Sequence, residues 1–193
     1  MEHTLRTPLS TDDVTRLRVG DIVYLDGIVI TARDKAHERL LQWSREGKKT
    51  PFDVDGAIIY HCGPLMQEND EWMALSAGPT TSARMSKTTI ELLKRFDIRA
   101  IIGKGGMAPG ALRDKCVYLT YTGGCGVVAA KQIKRVVGAH WLDLGMAEAV
   151  WVFDVKEFGP LIVATDLHGN DLFDEVRKKA NERAQIKGSV ELP

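Results

Sequence analysis

Three short apolar runs, each ended by a glycine-bearing turn, constrain what this chain can fold into. Ala57-Ile58-Ile59-Tyr60 leads into His61-Cys62-Gly63-Pro64, and Arg99-Ala100-Ile101-Ile102 into Gly103-Lys104-Gly105-Gly106. Cys116-Val117-Tyr118-Leu119-Thr120-Tyr121 runs on to Gly123-Gly124-Cys125-Gly126. Runs this short and apolar suit buried strands, and buried strands need helices to cover them. The segments around them have the helical period. Between Arg33 and Glu46, Ala36, Leu40, Leu41 and Trp43 share a face, and Gly47 closes the helix. Ser86 can cap a second helix with Ile90, Leu93 and Phe96 on one side; Val127–Arg135 and Asp171–Gln185 give two more. Shorter helices are expected from Ser10 to Gly20 and over Ala108–Lys115.

Strict alternation of strand and helix does not hold throughout. Ile22-Val23-Tyr24-Leu25, then Asp26-Gly27, then Ile28-Val29-Ile30-Thr31 predicts a β-hairpin, since Asp-Gly between β-branched runs is a strong hairpin signal. Val150–Phe153 and Leu161–Ala164 are two closely spaced strands punctuated by Gly159-Pro160, and Trp72–Ser76 is a further one. The expected class is therefore α/β with mixed sheets, in one domain over 1–193.

Lysine plus arginine and aspartate plus glutamate number 26 each, which removes any bulk electrostatic case for nucleic acid or an anionic membrane. An anion site must be local. No apolar run approaches the ~20 residues of a membrane span and the N-terminus is too polar for a signal peptide, so a cytoplasmic location is expected. Cys62, Cys116 and Cys125 show no CxxC spacing. Cys116 begins an apolar run and reads as a small buried hydrophobe, so no metal site is expected in this chain. Cys125, in a glycine turn before a helix, could have a lowered pKa or be a helix cap.

Two segments suit a small anion. Gly78-Pro79-Thr80-Thr81-Ser82-Ala83-Arg84-Met85 puts three hydroxyls and a guanidinium at a turn into a helix, with Thr80 and Thr81 one helical turn before Arg84. A guanidinium is a planar fork suited to a carboxylate. Gly103-Lys104-Gly105-Gly106-Met107 puts an ammonium between glycines at a strand end. Neither is a P-loop, and Gly123, Gly124 and Gly126 do not spell a dinucleotide fingerprint, which argues against a phosphate-handling enzyme. Arg33, in Thr31-Ala32-Arg33-Asp34, is a third cation with Asp34 as its neighbouring partner. Two half-sites suggest a dianion such as a dicarboxylate. The plainer account of each is a turn with a cap.

Thr-Ala-Arg-Asp-Lys-Ala-His, Gly-Pro-Thr-Thr-Ser-Ala-Arg-Met and Gly-Lys-Gly-Gly-Met, in this order and spacing, resemble the C-terminal part of class I fumarate hydratases. In two-subunit members, and in the related L-tartrate dehydratases, that part is a separate β subunit. The resemblance covers nearly the whole chain. It implies a swivelling β/β/α domain and a partner α subunit whose cysteines carry a [4Fe–4S] cluster, with the active site between the two in a hetero-oligomer. It implies Thr80 as catalytic base, and Arg33, Arg84, Lys104 and Thr81 as groups that bind the substrate. The activity implied is reversible hydration of fumarate to L-malate, dependent on the α subunit. The alternatives are an L-tartrate dehydratase β subunit and a non-catalytic anion-binding or assembly module.

Overall fold

A computed structural model describes residues 1–108, 110–112 and 115–188, with the side chains of 184–188 left aside. Chain order is β1 (Glu2–Arg6), α1 (Thr11–Thr15), β2 (Ile22–Thr31), α2 (Asp34–Arg45), β3 (Ala57–Tyr60), β4 (Leu65–Glu68) and β5 (Trp72–Ser76). Then come α3 (Ser86–Leu93), β6 (Ile98–Gly103), β7 (Val117–Thr120), α4 (Gly126–Lys131), β8 (Ile133–His140), β9 (Val150–Thr165) and α5 (Leu172–Gly188). Seven strands form one sheet in the order β1-β2-β3-β6-β7-β9-β8. β9 also pairs with β2, so β2, β3, β6, β7 and β9 close into a small barrel. Neighbours among β2, β3, β6 and β7 are parallel, and β9 runs against them. The expected α/β class with mixed sheets holds.

The two-residue period of the strands divides the apolar residues between two cores. Ile58, Tyr60, Ala100, Ile102, Val117 and Leu119 enter one, together with Trp151, Phe153 and Phe158 of β9. Ala57, Ile59, Ile101 and Tyr118 enter the other, where Ala36, Leu40 and Leu41 of α2 and Leu92 and Leu93 of α3 cover the sheet. Both faces of β3, β6 and β7 are thus buried, which is why their sequences are apolar without alternation.

The expected hairpin at Asp26-Gly27 is not formed. β2 runs straight through as one strand, with β1 and then β3 on one edge and β9 on the other. Gly27 is instead a bulge at φ +106, where a Cβ would meet the Thr7 hydroxyl. Likewise the two expected late strands are one bent strand, β9. Its bulge has Glu157 at φ +50, and the Gln132 amide satisfies the freed backbone groups by donating to the carbonyls of Glu157 (3.0 Å) and Gly159 (2.8 Å). The helix expected over Val127–Arg135 stops at Lys131, because the β-branched run after it pairs with β9 as β8. The helix expected over Ala108–Lys115 falls partly on residues outside those described, with turns at 110–112.

β4 and β5 form a two-stranded ribbon that leaves the barrel after β3 and returns to the Gly78-Pro79 turn. Trp72 ties it down edge-on against Trp151, ring centroids 4.9 Å apart. The ribbon therefore stands at the carboxyl ends of the parallel strands.

Candidate active site

Beyond Tyr60 and Gly103, segment 79–82 lies between the continuations of β3 and β6. The last direct bond between those strands runs from the His61 N–H to the Ile102 carbonyl at 2.8 Å. From there Pro79 bridges to Cys62 and Thr81 to Lys104. The Thr80 N–H donates to the His61 carbonyl (2.7 Å), the Lys104 N–H to the Thr80 carbonyl (3.1 Å) and the Ser82 N–H to the Lys104 carbonyl (3.1 Å). Thr80 and Lys104, 24 positions apart in sequence, are hence locked side by side by backbone alone. Arg33 follows β2 at the same end of the sheet. Strand carboxyl ends are where α/β sheets place ligands.

The side chains divide the roles. An Arg84 Nη2–H donates to the Thr80 hydroxyl oxygen at 3.1 Å, and its Nε–H to the Asp34 carboxylate at 3.1 and 3.2 Å. Asp34 therefore serves Arg84, not Arg33 as its sequence position suggested. Arg33 lies over Gly63, where its guanidinium leaves no room for a Cβ, with Nε 3.2 Å from the Glu148 carboxylate. Among the described residues that Nε–H has no hydrogen-bond acceptor, so the pair is a charge contact rather than a hydrogen bond. The Lys104 side chain passes over Gly123, and among the described residues no carboxylate pairs with it. Thr81 is exposed beside Gly105.

A fully buried layer supports this rim. The Tyr118 hydroxyl donates to Ser82 Oγ (3.0 Å), which lies 2.8 Å from His61 Nδ1. Gly103 has to be glycine here, since any Cβ would overlap the Ser82 hydroxyl. His37 of α2 packs against His61, ring centroids 5.1 Å apart. Burial pushes both imidazoles toward the neutral form, His37 down to about 4. Sequence reasoning treated His61 as a strand-end residue, counted Ser82 among the three hydroxyls offered to an anion and gave Tyr118 no role; Ser82 is instead buried beneath the rim. The close approach required of Gly103 was the available signal.

The cysteines do not form a cluster site. Cys62 belongs to the barrel core and Cys116 to the helix-covered core, on opposite faces of the sheet. Burial raises the thiol pKa of both, and of Cys125 as well, so the lowered value considered for Cys125 is not found. Cys125 Sγ donates to the Thr122 carbonyl at 2.6 Å. Among the described residues no group of three His, Cys, Asp or Glu could hold a metal ion, and no helix is long and apolar enough to cross a membrane.

Fold and site together define an α/β domain with cations and hydroxyls gathered at one end of a small barrel. The chain belongs to the family described as the Fumarase C-terminus, whose model matches residues 2–176. It is 48% identical to a Methanocaldococcus jannaschii protein provisionally named L(+)-tartrate dehydratase subunit beta, across 95% of this chain and 96% of that one. It is 42% identical to the L(+)-tartrate dehydratase subunit beta of Escherichia coli K12, across 95% and 92%. A Geobacillus stearothermophilus protein provisionally named fumarate hydratase class I is 39% identical across 97% of this chain, which spans 37% of that protein.

Proposed function

We propose that this chain is the β subunit of an iron–sulfur hydro-lyase, gripping the carboxylates of a four-carbon hydroxy acid while a partner α subunit holds the metal. Arg33, Arg84, Lys104 and Thr81 bind the substrate carboxylates, and Thr80 is the base. Its three cysteines do not converge, so the [4Fe–4S] cluster of this reading belongs to the partner.

Dehydration of L-malate begins with loss of a proton from the carbon beside a carboxylate. The C–H electron pair moves into that carboxylate and gives a dianionic aci-carboxylate, which is very unstable in water. Fixed cations aimed at the growing charge supply the largest share of stabilisation. Lys104 suits this task because no carboxylate of the described chain competes for it. Thr80, acting as its alkoxide, receives the proton and becomes the neutral hydroxyl. An alkoxide is far too basic to exist freely at pH 7, and a guanidinium N–H donating to its oxygen favours the charged form. The Arg84–Thr80 bond at 3.1 Å is the observation that carries the assignment.

The site is open on one side, and apolar residues stand beside the opening. Leu65, Met73 and Leu75 on the outer face of the β4–β5 ribbon and Val127 and Val128 of α4 are each at least 40% exposed. α4 abuts the site loop, with the Ala77 N–H donating to the Gly126 carbonyl at 2.9 Å. A partner covering this surface would shut water out of the rim, where electrostatic stabilisation needs a low dielectric. In the Geobacillus relative, the 63% of the chain beyond this match is long enough to supply such a cover.

Fumarate and L-malate are the substrates of this reading. L-tartrate is the second reading, favoured by the names of the relatives at 48% and 42% identity. Anaerobic co-purification with the α subunit, then turnover on L-malate, fumarate and both tartrates, decides between them. Thr80→Ala should lower turnover about 10³-fold with the complex intact. Unchanged turnover would remove Thr80 as base, and inactivity on all four acids would remove the hydro-lyase reading. Leu75→Asp with Val127→Asp should prevent co-purification.

A further inference from the structure

The buried layer contains two imidazoles that the chemistry above does not use. His61 and His37 have no exposed surface, and among the described residues the Nε2 of each lacks a hydrogen-bond partner. Unpaired buried polar atoms are costly, and two of them facing one site call for a cause.

Proton bookkeeping supplies it. Tyr118 and Ser82 carry one hydroxyl proton each. With Tyr118 donating to Ser82, the Ser82 proton is left for His61 Nδ1, and both protons are used. With the direction reversed, the Tyr118 proton has no acceptor. His61 is then protonated on Nε2. On the other side, the Thr88 hydroxyl donates to the Met85 carbonyl (3.0 Å), so at 3.1 Å it accepts from His37 Nδ1–H. His37 is left with a bare Nε2. The two lone Nε2 atoms are therefore complementary, a donor on His61 and an acceptor on His37, on rings 5.1 Å apart.

Resting on the hydro-lyase reading above, we propose that His61 is a positioning residue for that reaction, held as its Nε2–H tautomer by the Ser82 hydroxyl. His61 holds both ends of the wedge that carries the base. Its carbonyl accepts from the Thr80 N–H, which any residue could arrange, and its ring accepts from Ser82 Oγ, which requires a histidine in the Nε2–H form. Ser82 in turn donates its N–H to Lys104. One imidazole thus braces, through Ser82, the backbone pairing of Thr80 with Lys104 without touching substrate. A charged or reversed ring would put a proton on Nδ1, reverse the bond to Ser82 and leave the Ser82 proton without an acceptor among the described residues. Burial, then His37, then the Arg84 guanidinium all act against a charged His61.

Two measurements test this. In the ¹⁵N-histidine-labelled full chain, two-bond nitrogen–proton spectra should show His61 as the neutral Nε2–H tautomer and His37 as the neutral Nδ1–H tautomer at pH 7. An Nδ1–H or charged His61 overturns the proposal, whatever the complex does with substrate. In the reconstituted complex, His61→Leu should lower kcat about 10²-fold at little change in KM, as expected when a base is misplaced by an ångström. His61→Asn keeps an acceptor near the Nδ1 position and should recover most of that loss. Equal loss in both variants, or unchanged kcat in His61→Leu, overturns it. If the wild-type complex is inactive on every dicarboxylate, the hydro-lyase reading falls, while the tautomer measurement still tests the layer.

Discussion

The rim of the site and the layer beneath it are held by opposite kinds of electrostatics. On the rim, the side chains of Arg84 and Asp34 are 43% and 40% exposed, and their ion pair is screened by solvent. A few ångströms of chain away, Ser82, His61 and His37 are fully buried and neutral, and each hydrogen bond has a single arrangement. The Arg84–Asp34 pair is left open, and the neutral groups are sealed. A cation held in place by a buried framework keeps its field for an incoming anion, whereas a cation satisfied by a buried carboxylate would not. Preorganisation resides in the lower layer and reactivity in the upper one.

The strongest way to break this contrast is to remove a rim cation. In a reconstituted complex, Lys104→Ala should lower kcat about 10²-fold, with chain stability unchanged within about 0.5 kcal/mol. Lys104 has no carboxylate partner among the described residues, so its loss strands no buried charge. A fall in thermal stability as large as the fall in turnover would mean that rim and layer are not separate.

The buried layer is exposed by acid instead. His37 has a folded pKa of about 4, set by burial against a small opposing pull from Asp34, while an unfolded histidine titrates near 6.5. Above pH 6.5 neither state takes the proton, and this histidine costs nothing. As pH falls through 6.5 the unfolded chain binds a proton that the folded chain refuses, so stability drops until the folded pKa is reached. At pH 5 the loss is about 2 kcal/mol relative to pH 7.5, read from urea unfolding. His61, lowered by burial first, adds in the same direction. His37→Gln should reduce the slope in this window. A flat profile from pH 7.5 to 5 would show that the layer is hydrated or already charged.

How much of this was legible in the sequence follows the same division. Thr80, Thr81, Arg84 and Lys104 stand in or next to glycine-bearing turns, where backbone demand and ligand demand coincide, and could be singled out, as could Arg33 as a third cation after β2. Even there, pairing was misjudged: Asp34 was assigned to its neighbour Arg33, whereas the α2–α3 contact carries it to Arg84. The buried layer was hidden because Ser82, His61 and Tyr118 come from three separate segments, and only the closed sheet brings them together. In the fold, the apolar runs of β3, β6 and β7 were clear because both their faces are buried. β1, β4 and β8 were missed: Glu2-His3-Thr4-Leu5-Arg6 offers one buried side chain in five, and Leu65–Glu68 likewise one in four. Asp26-Gly27 misled for a physical reason, since a bulge and a hairpin turn both require a positive φ.

The smallest effect belongs to the pair that sequence reasoning mistook, and it sharpens the contrast most. Asp34→Asn keeps an acceptor oxygen for the Arg84 Nε–H and removes only the charge. An ion pair this exposed contributes less than about 1 kcal/mol, and in a chain of this size that is a shift in Tm of no more than about 4 °C. The difference between variant and wild type should shrink further in 1 M salt, where charges more than about 3 Å apart are screened. Turnover of the complex should fall less than threefold, because the Nη2–H bond to Thr80 does not depend on Asp34. A loss above about 2 kcal/mol that persists in salt would place Asp34 with the sealed layer, and the rim would then be a buried ion-pair site whose cation is already spent.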